Sequence, residues 1–262
     1  NVEYYARIVQ EKAIKRSLIN AGSEIVSSGY DLNPIEESLE LAEKLIFDIA
    51  SAKASKSLSQ IKDIDYDTYA KIEERYNNKG QLTGVPTDFY DLDAMLNGLQ
   101  RSDLIILAAR PAMGKTAFAL NIAQNVALRA KTPVAIFSLE MSKQQLVQRL
   151  LCSEAEVDSQ RLKTGNMQAK DWEKLAVAMN DLSEASIYID DTAGCTITDI
   201  RAKCRRLAMA EKNLGLIVID YLQLIEGTGR EDRMQQISSI SRGLKILAKE
   251  LNVPIISLSQ LS

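Results

Sequence analysis

Apolar positions along the chain show two textures. Over residues 1–55 they recur at helical spacing: Leu39, Leu41, Ala42, Leu45, Ile46 and Ile49 follow the i, i+3, i+4 pattern of an amphipathic helix. Asn33 followed by Pro34 is a helix-start signal, with Asn33 as cap and Pro34 in the first turn. An earlier helix is predicted over residues 3–21, ending near Gly22, so that the two helices form a hairpin. Residues 52–62 are rich in Ser and Lys and read as linker. A short helix is predicted over residues 65–77, with Tyr66, Tyr69, Ile72 and Tyr76 on one stripe. The spacing suits packing on its own domain and docking on a neighbouring subunit equally well.

From residue 84 or so the texture changes. Apolar runs at 104–108, 134–138, 187–190, 216–220 and 253–259 alternate with helical patterns. Ser142 with Gln145 forms a capping-box signature, and further helices are predicted over 198–212 and 234–251. Near-continuous apolar strands alternating with helices imply an α/β domain with a mostly parallel sheet covered on both faces.

Composition narrows the chemistry. The chain has 262 residues, 46% of them hydrophobic, so a real core can form. The formal net charge of −3 argues against coating nucleic acid by bulk charge; a DNA role needs a local basic patch or an assembly that concentrates one. There is no histidine, which excludes His-based general bases, Ser-His-Asp triads and His metal ligands. Cys152, Cys195 and Cys204 match no metal-binding spacing and read as small core hydrophobes. No apolar run reaches the length of a membrane span. The chain begins with Asn1 and stops at Ser262 just after an apolar strand, so a fragment of a longer polypeptide is expected.

The strongest chemical signal is the octet Ala109, Arg110, Pro111, Ala112, Met113, Gly114, Lys115 and Thr116, placed between a strand and a helix. That is the context a phosphate-binding P-loop requires. Backbone N–H groups and the helix dipole favour phosphate there; Lys115 can reach the β- and γ-phosphates and the Thr116 hydroxyl can ligate Mg²⁺. Ala109 stands where the common pattern has Gly, which demands a negative φ at that residue. Asp220, ending the run LIVID, would hold the metal directly or through water. Glu140, just after the strand at 134–138, could activate a water or simply be an acid near a helix start. Gln260, just past the strand at 253–259, could sense the γ-phosphate or be an ordinary polar residue. Thr116, Glu140, Asp220 and Gln260 each lie at or past the carboxyl end of a strand, the edge where open parallel sheets bind ligands.

These residues also carry a family resemblance. The stretches TGVPTDFYDLD at 83–93, AARPAMGKT at 108–116, FSLEMS at 137–142, DDTAGCTITDIRAKCRR at 190–206, IVIDYLQL at 217–224 and LSQLS at 258–262 are similar to the DnaB family of bacterial replicative DNA helicases. The resemblance implies a RecA-like P-loop core over 83–262, with residues 1–55 as the end of an N-terminal domain and 56–82 as a linker carrying a linker helix. It implies ATP and Mg²⁺ as cofactors, and a homohexameric ring moving 5′ to 3′ along single-stranded DNA at the replication fork. Primase and a helicase loader are the implied partners; the bacterial cytoplasm, or alternatively a plastid stroma, is the implied compartment. By motif, Lys115 and Thr116 resemble the P-loop pair, Asp220 the metal-holding acid, Glu140 the catalytic glutamate and Gln260 the γ-phosphate sensor. Arg149, nine residues past Glu140 on what reads as the same helix, matches a position near the family's active site or is a solvated arginine. Such a family continues into DNA-contacting loops, an arginine finger and further strands. The cluster Arg201, Lys203, Arg205 and Arg206 could face DNA, solvent or another subunit. A RecA-type strand-exchange ATPase and a nucleotide-switch scaffold are the alternative readings of the same core.

Overall fold

The computed structural model describes residues 2–31, 34–51, 69, 72–73, 76–77, 80–225 and 233–261. The chain divides into two compact units, Asn1–Asn77 and Asn78–Ser262.

In the first unit, helices α1 (Val2–Tyr30) and α2 (Ile35–Ser51) pack against each other. Ala21 and Ser28 are buried, and the Ser38 hydroxyl donates to the Ser28 carbonyl at 3.2 Å across the pair. The hairpin is as expected, but its turn is not at Gly22: α1 runs through Gly22 and Gly29. One glycine costs a helix only about 1 kcal/mol, too little to stop 29 residues that pack on a partner. The Pro34 carbonyl accepts the Ser38 N–H at 3.4 Å, so Pro34 stands just ahead of α2 rather than inside its first turn. Asn33, its expected cap, and most of the expected helix at 65–77 lie outside the described residues. Tyr69, Ile72 and Tyr76 are helical and exposed.

The second unit is built on five parallel strands, β1 (Leu104–Ala109), β2 (Val134–Ser138), β3 (Ile187–Asp190), β4 (Leu216–Asp220) and β5 (Ile255–Gln260), in the order β1-β5-β4-β2-β3. The helices between them are α3 (Tyr90–Leu96), α4 (Lys115–Leu128), α5 (Lys143–Glu154), α6 (Ser159–Thr164), α7 (Ala169–Glu184), α8 (Ile197–Ala210) and α9 (Arg233–Leu251). Strand β5 starts two residues later than the apolar run, because Asn252 turns at φ 55° and Pro254 lacks the N–H a ladder needs.

Alternation along the strands splits the core in two. Leu216 and Val218 join Val134 and Ile136 against α4 and α5. Ile217 and Ile219 join Ala135 and Phe137 against α8 and α9. Both faces of β4 are therefore buried, which is why its sequence shows no polar alternation. The three cysteines are buried free thiols, as expected.

The stretch TDFYDLD has a structural job. The buried Asp93 carboxylate accepts from the Thr87 hydroxyl at 2.8 Å and from the Thr87 and Asp88 N–H groups. Asn125 on α4 donates to the Thr87 carbonyl at 2.9 Å, tying this hook to the helix that follows the P-loop. Among the described residues no helix is long and apolar enough to cross a membrane.

A Cβ built at Gly22 meets nothing within 4 Å. Gly22→Ala should therefore stabilise α1 by up to about 1 kcal/mol. Hydrogen exchange should show slower exchange of amides flanking residue 22; unchanged or faster exchange would contradict a continuous α1.

Candidate functional site

The carboxyl ends of β1, β2 and β5 lead into one cleft, and the end of β4 is tied to it through a hydrogen bond between Thr116 and Asp220. At the end of β1, Ala109 keeps a negative φ, as its side chain demands, and the chain curls before entering α4. Gly114 adopts φ 82° and Ala112 φ 63°. The second is unexpected, because a left-handed conformation costs a residue with a Cβ roughly 1–2 kcal/mol. Left-handed residues set among right-handed ones make backbone N–H groups converge on an anion. Helix α4 begins at Lys115 without a side-chain cap, so its first-turn N–H groups remain open to a ligand.

Asp220 ends the central strand β4 and is 3% exposed. The Thr116 hydroxyl donates to its Oδ2 at 2.7 Å, while its buried Oδ1 has no hydrogen-bond partner. Burial pushes the Asp220 carboxyl above the usual carboxylate range. The Thr116 hydrogen bond and the Lys115 and Arg149 charges oppose that rise, and Glu140 adds to it. An unpartnered buried carboxylate oxygen beside a threonine hydroxyl is a hard-oxygen donor pair suited to Mg²⁺. Lys115 Nζ lies 4.7 Å from the Tyr221 ring centroid, a cation–π distance.

Glu140 comes from β2. Ser138 pairs in register with Asp220, and the Leu139 N–H donates to the Asp220 carbonyl at 2.8 Å, so Glu140 emerges beside the tip of β4. It is not on the helix that carries Arg149: α5 starts at Lys143, with Ser142 as its N-cap and Gln145 completing the capping box from the first turn, and that cap sets the helix start beyond Glu140. Gln260 is the last residue of β5 rather than a residue past it, and pairs in register with Ala109 at the P-loop's first position. Gln223 braces it, its side-chain amide donating to the Ser259 hydroxyl at 2.8 Å and to the Gln260 carbonyl at 3.3 Å.

A cleft of about 420 Å³ is lined by Ala109, Arg110, Pro111, Ala112, Gly114, Lys115 and Thr116, and across from them by Glu140, Met141, Arg149 and Gln260. Met113 is 74% exposed and is not part of that wall. Arg149 thus faces the cleft rather than bulk solvent alone. Tyr221 and Gln223 were not singled out from the sequence; their place directly after the strand-end acid was the available signal. The basic cluster on α8 is largely paired within the chain: Arg201 and Arg205 meet Glu250 at 3.3 and 2.6 Å, and Lys203 meets Asp190 at 2.5 Å. A second cleft of about 530 Å³, with Arg129, Lys131, Asp181 and Glu184 in its wall, lies at the amino-terminal ends of β2 and β3.

With its pKa raised in the fold, Asp220 contributes stability that is present below the unfolded carboxylate value of about 4 and lost as pH rises through the folded value. In chelator at neutral pH, Asp220→Asn should melt higher than the unaltered protein, the gap closing as pH falls from the folded value toward the unfolded value of about 4. It should lose the thermal shift given by magnesium with nucleotide. A lower melting point, or a retained magnesium-dependent shift, would contradict this account of Asp220.

Three comparisons bear on this arrangement. The DnaB-like helicase C terminal domain family matches residues 84–262. The replicative DNA helicase DnaB of Geobacillus stearothermophilus is 56% identical over all of this chain and 58% of its own length. The replicative DNA helicase DnaC of Bacillus subtilis (strain 168) is 54% identical over the same shares. The chain thus spans somewhat over half the length of these relatives. A solved structure of a DnaB-like replicative helicase and its interactions with primase matches with a TM-score of 0.71 and 33% identity, covering 99% of this chain and 61% of that one. A solved ATPase domain matches with a TM-score of 0.72 and 39% identity, over 76% of this chain and 71% of its own.

Proposed function

The chain belongs to the DnaB-like helicase family, and from that premise we propose that its cleft hydrolyses ATP to drive unwinding of duplex DNA at the replication fork. The observation that carries the reading is the Thr116–Asp220 pair with its unpartnered Asp220 oxygen, set against a P-loop and facing an acid from another strand.

The phosphates of ATP lie on the N–H groups at the end of the loop and the start of α4, from Gly114 to Thr116, and Lys115 exchanges the Tyr221 ring for the β- and γ-phosphates. Thr116 and Asp220 hold magnesium, whose charge offsets that of the phosphates. Glu140 orients the attacking water and takes its proton. Arg149 adds positive charge on the cleft wall opposite the P-loop. Gln260 bonds the γ-phosphate and loses that bond after hydrolysis, so β5 reports the nucleotide state. Positioning and charge stabilisation supply most of the rate, because phosphoryl transfer asks little else of the protein.

The working unit is a homohexamer that encircles single-stranded DNA and moves 5′ to 3′, with primase and a loader as partners and the bacterial cytoplasm as compartment. The interactions of the solved DnaB-like relative with primase and the bacterial sources of the two sequence relatives support that reading.

Two variants of the full-length protein test it. Lys115→Ala should lose ATPase activity by a factor on the order of 10²–10³ and weaken ATP binding. Glu140→Gln should lose hydrolysis by a comparable factor, on the order of 10²–10⁴, while still binding magnesium-ATP. Unwinding of a forked substrate should fall with hydrolysis in both. Hydrolysis at the original rate in either variant, or pairing of homologous strands without unwinding in the unaltered protein, would overturn the proposal.

A further inference from the structure

The segment between β2 and α5 carries Glu140, and its backbone is fastened at several points. The Leu139 N–H donates to the Asp220 carbonyl at 2.8 Å. The Ser138 hydroxyl donates to the Met141 carbonyl at 2.8 Å and accepts the Met141 N–H at 3.2 Å. At the far end, the Lys143 N–H donates to Asp191 Oδ2 at 2.9 Å. Asp191 stands one residue past the edge strand β3, whose Asp190 pairs in register with Phe137. We propose that Asp191 is a positioning residue for Glu140: its carboxylate, by holding the Lys143 amide, fixes where the Glu140 segment sits against the nucleotide cleft. The inference rests on the reading of Glu140 as the general base.

Three features separate this bond from an ordinary helix cap. Helix α5 already has both halves of a capping box, with Ser142 accepting from Gln145 and Gln145 accepting from Ser142, so it does not need Asp191 in order to start. The Asp191 bond joins the segment to another strand, whereas the box is internal to the helix start. The Lys143 ammonium is 3.6 Å from Asp191 Oδ1 and its side chain is 58% exposed, a surface ion pair of little weight. The backbone amide is therefore the principal contact; it is also the first cause holding the Asp191 carboxyl below the usual range. The neighbouring carboxylate, Asp190, is engaged elsewhere, with Lys203 and Thr192. A displacement of about 1 Å in a catalytic group can cost on the order of 10²-fold in rate, so a hydrogen bond at the end of a short segment can matter to kcat.

The position of Lys143 allows a clean test. It is the first residue of α5, where proline is well tolerated, and the preceding Ser142 already has ψ 154°, the extended conformation a following proline requires. In the full-length protein, Lys143→Pro removes the amide hydrogen and Asp191→Ala removes its acceptor. Each should lower kcat for ATP about ten-fold with the dissociation constant for magnesium-ATP within two-fold or so of the original. Combining them should cost no more than either alone, because both delete one bond. Asp191→Asn, which can still accept, and Lys143→Ala, which keeps the amide, should retain most of the rate. Unchanged kcat in Asp191→Ala and Lys143→Pro, additive losses in the double variant, or ATP affinity falling in step with kcat would overturn the inference. An unaltered full-length protein without ATPase activity would instead sink the proposed function itself.

Discussion

A carboxylate buried at the tip of the central strand, with one oxygen bonded and the other bare, is the arrangement around which the second unit is organised. Asp220 sits on β4, with β5 and β2 on either side and apolar cores on both faces. Burying a charge there is unfavourable unless something compensates. Within the chain the compensation is partial: a threonine hydroxyl, and the nearby charges of Lys115 and Arg149. A divalent cation with its phosphates would complete it. The same strands that make the fold stable therefore create, at their carboxyl ends, a site with unmet demand for positive charge.

Strand order decides which groups can answer that demand. Because β5 lies between β1 and β4, the P-loop at the end of β1 and the acid at the end of β4 stand one strand apart, with Gln260 between them. On the other side β2 brings Glu140 alongside Asp220 through the Ser138 register. The polar side chains are thus spaced by the sheet, and the local hydrogen bonds of Ser138, Gln223 and Asp191 trim their positions.

Much of this was legible in the sequence, for physical reasons. Strand β4 is apolar throughout because both its faces are covered, and the P-loop octet is recognisable because its backbone tolerates few alternatives. What was not legible depends on partners distant in the chain. Nothing local says that Ala112 takes a left-handed conformation, that Tyr221 lies against Lys115, or that Asp191 holds the Lys143 amide. Gly22 misled in the other direction: a glycine reads as a breaker, yet tertiary packing carries α1 through it. The basic run on α8 leaves DNA, solvent and another subunit open when read locally, and only Glu250, far along the chain, shows that Arg201 and Arg205 are paired within the fold.

The most direct test of the central claim is a crystal structure of the full-length protein with magnesium and a non-hydrolysable ATP analogue. The account requires the metal on the Thr116 hydroxyl, with Asp220 bound directly or through water, and the terminal phosphate between Lys115 and Gln260. A nucleotide seated instead in the cleft of Arg129 and Glu184, or a metal remote from Asp220, would contradict it.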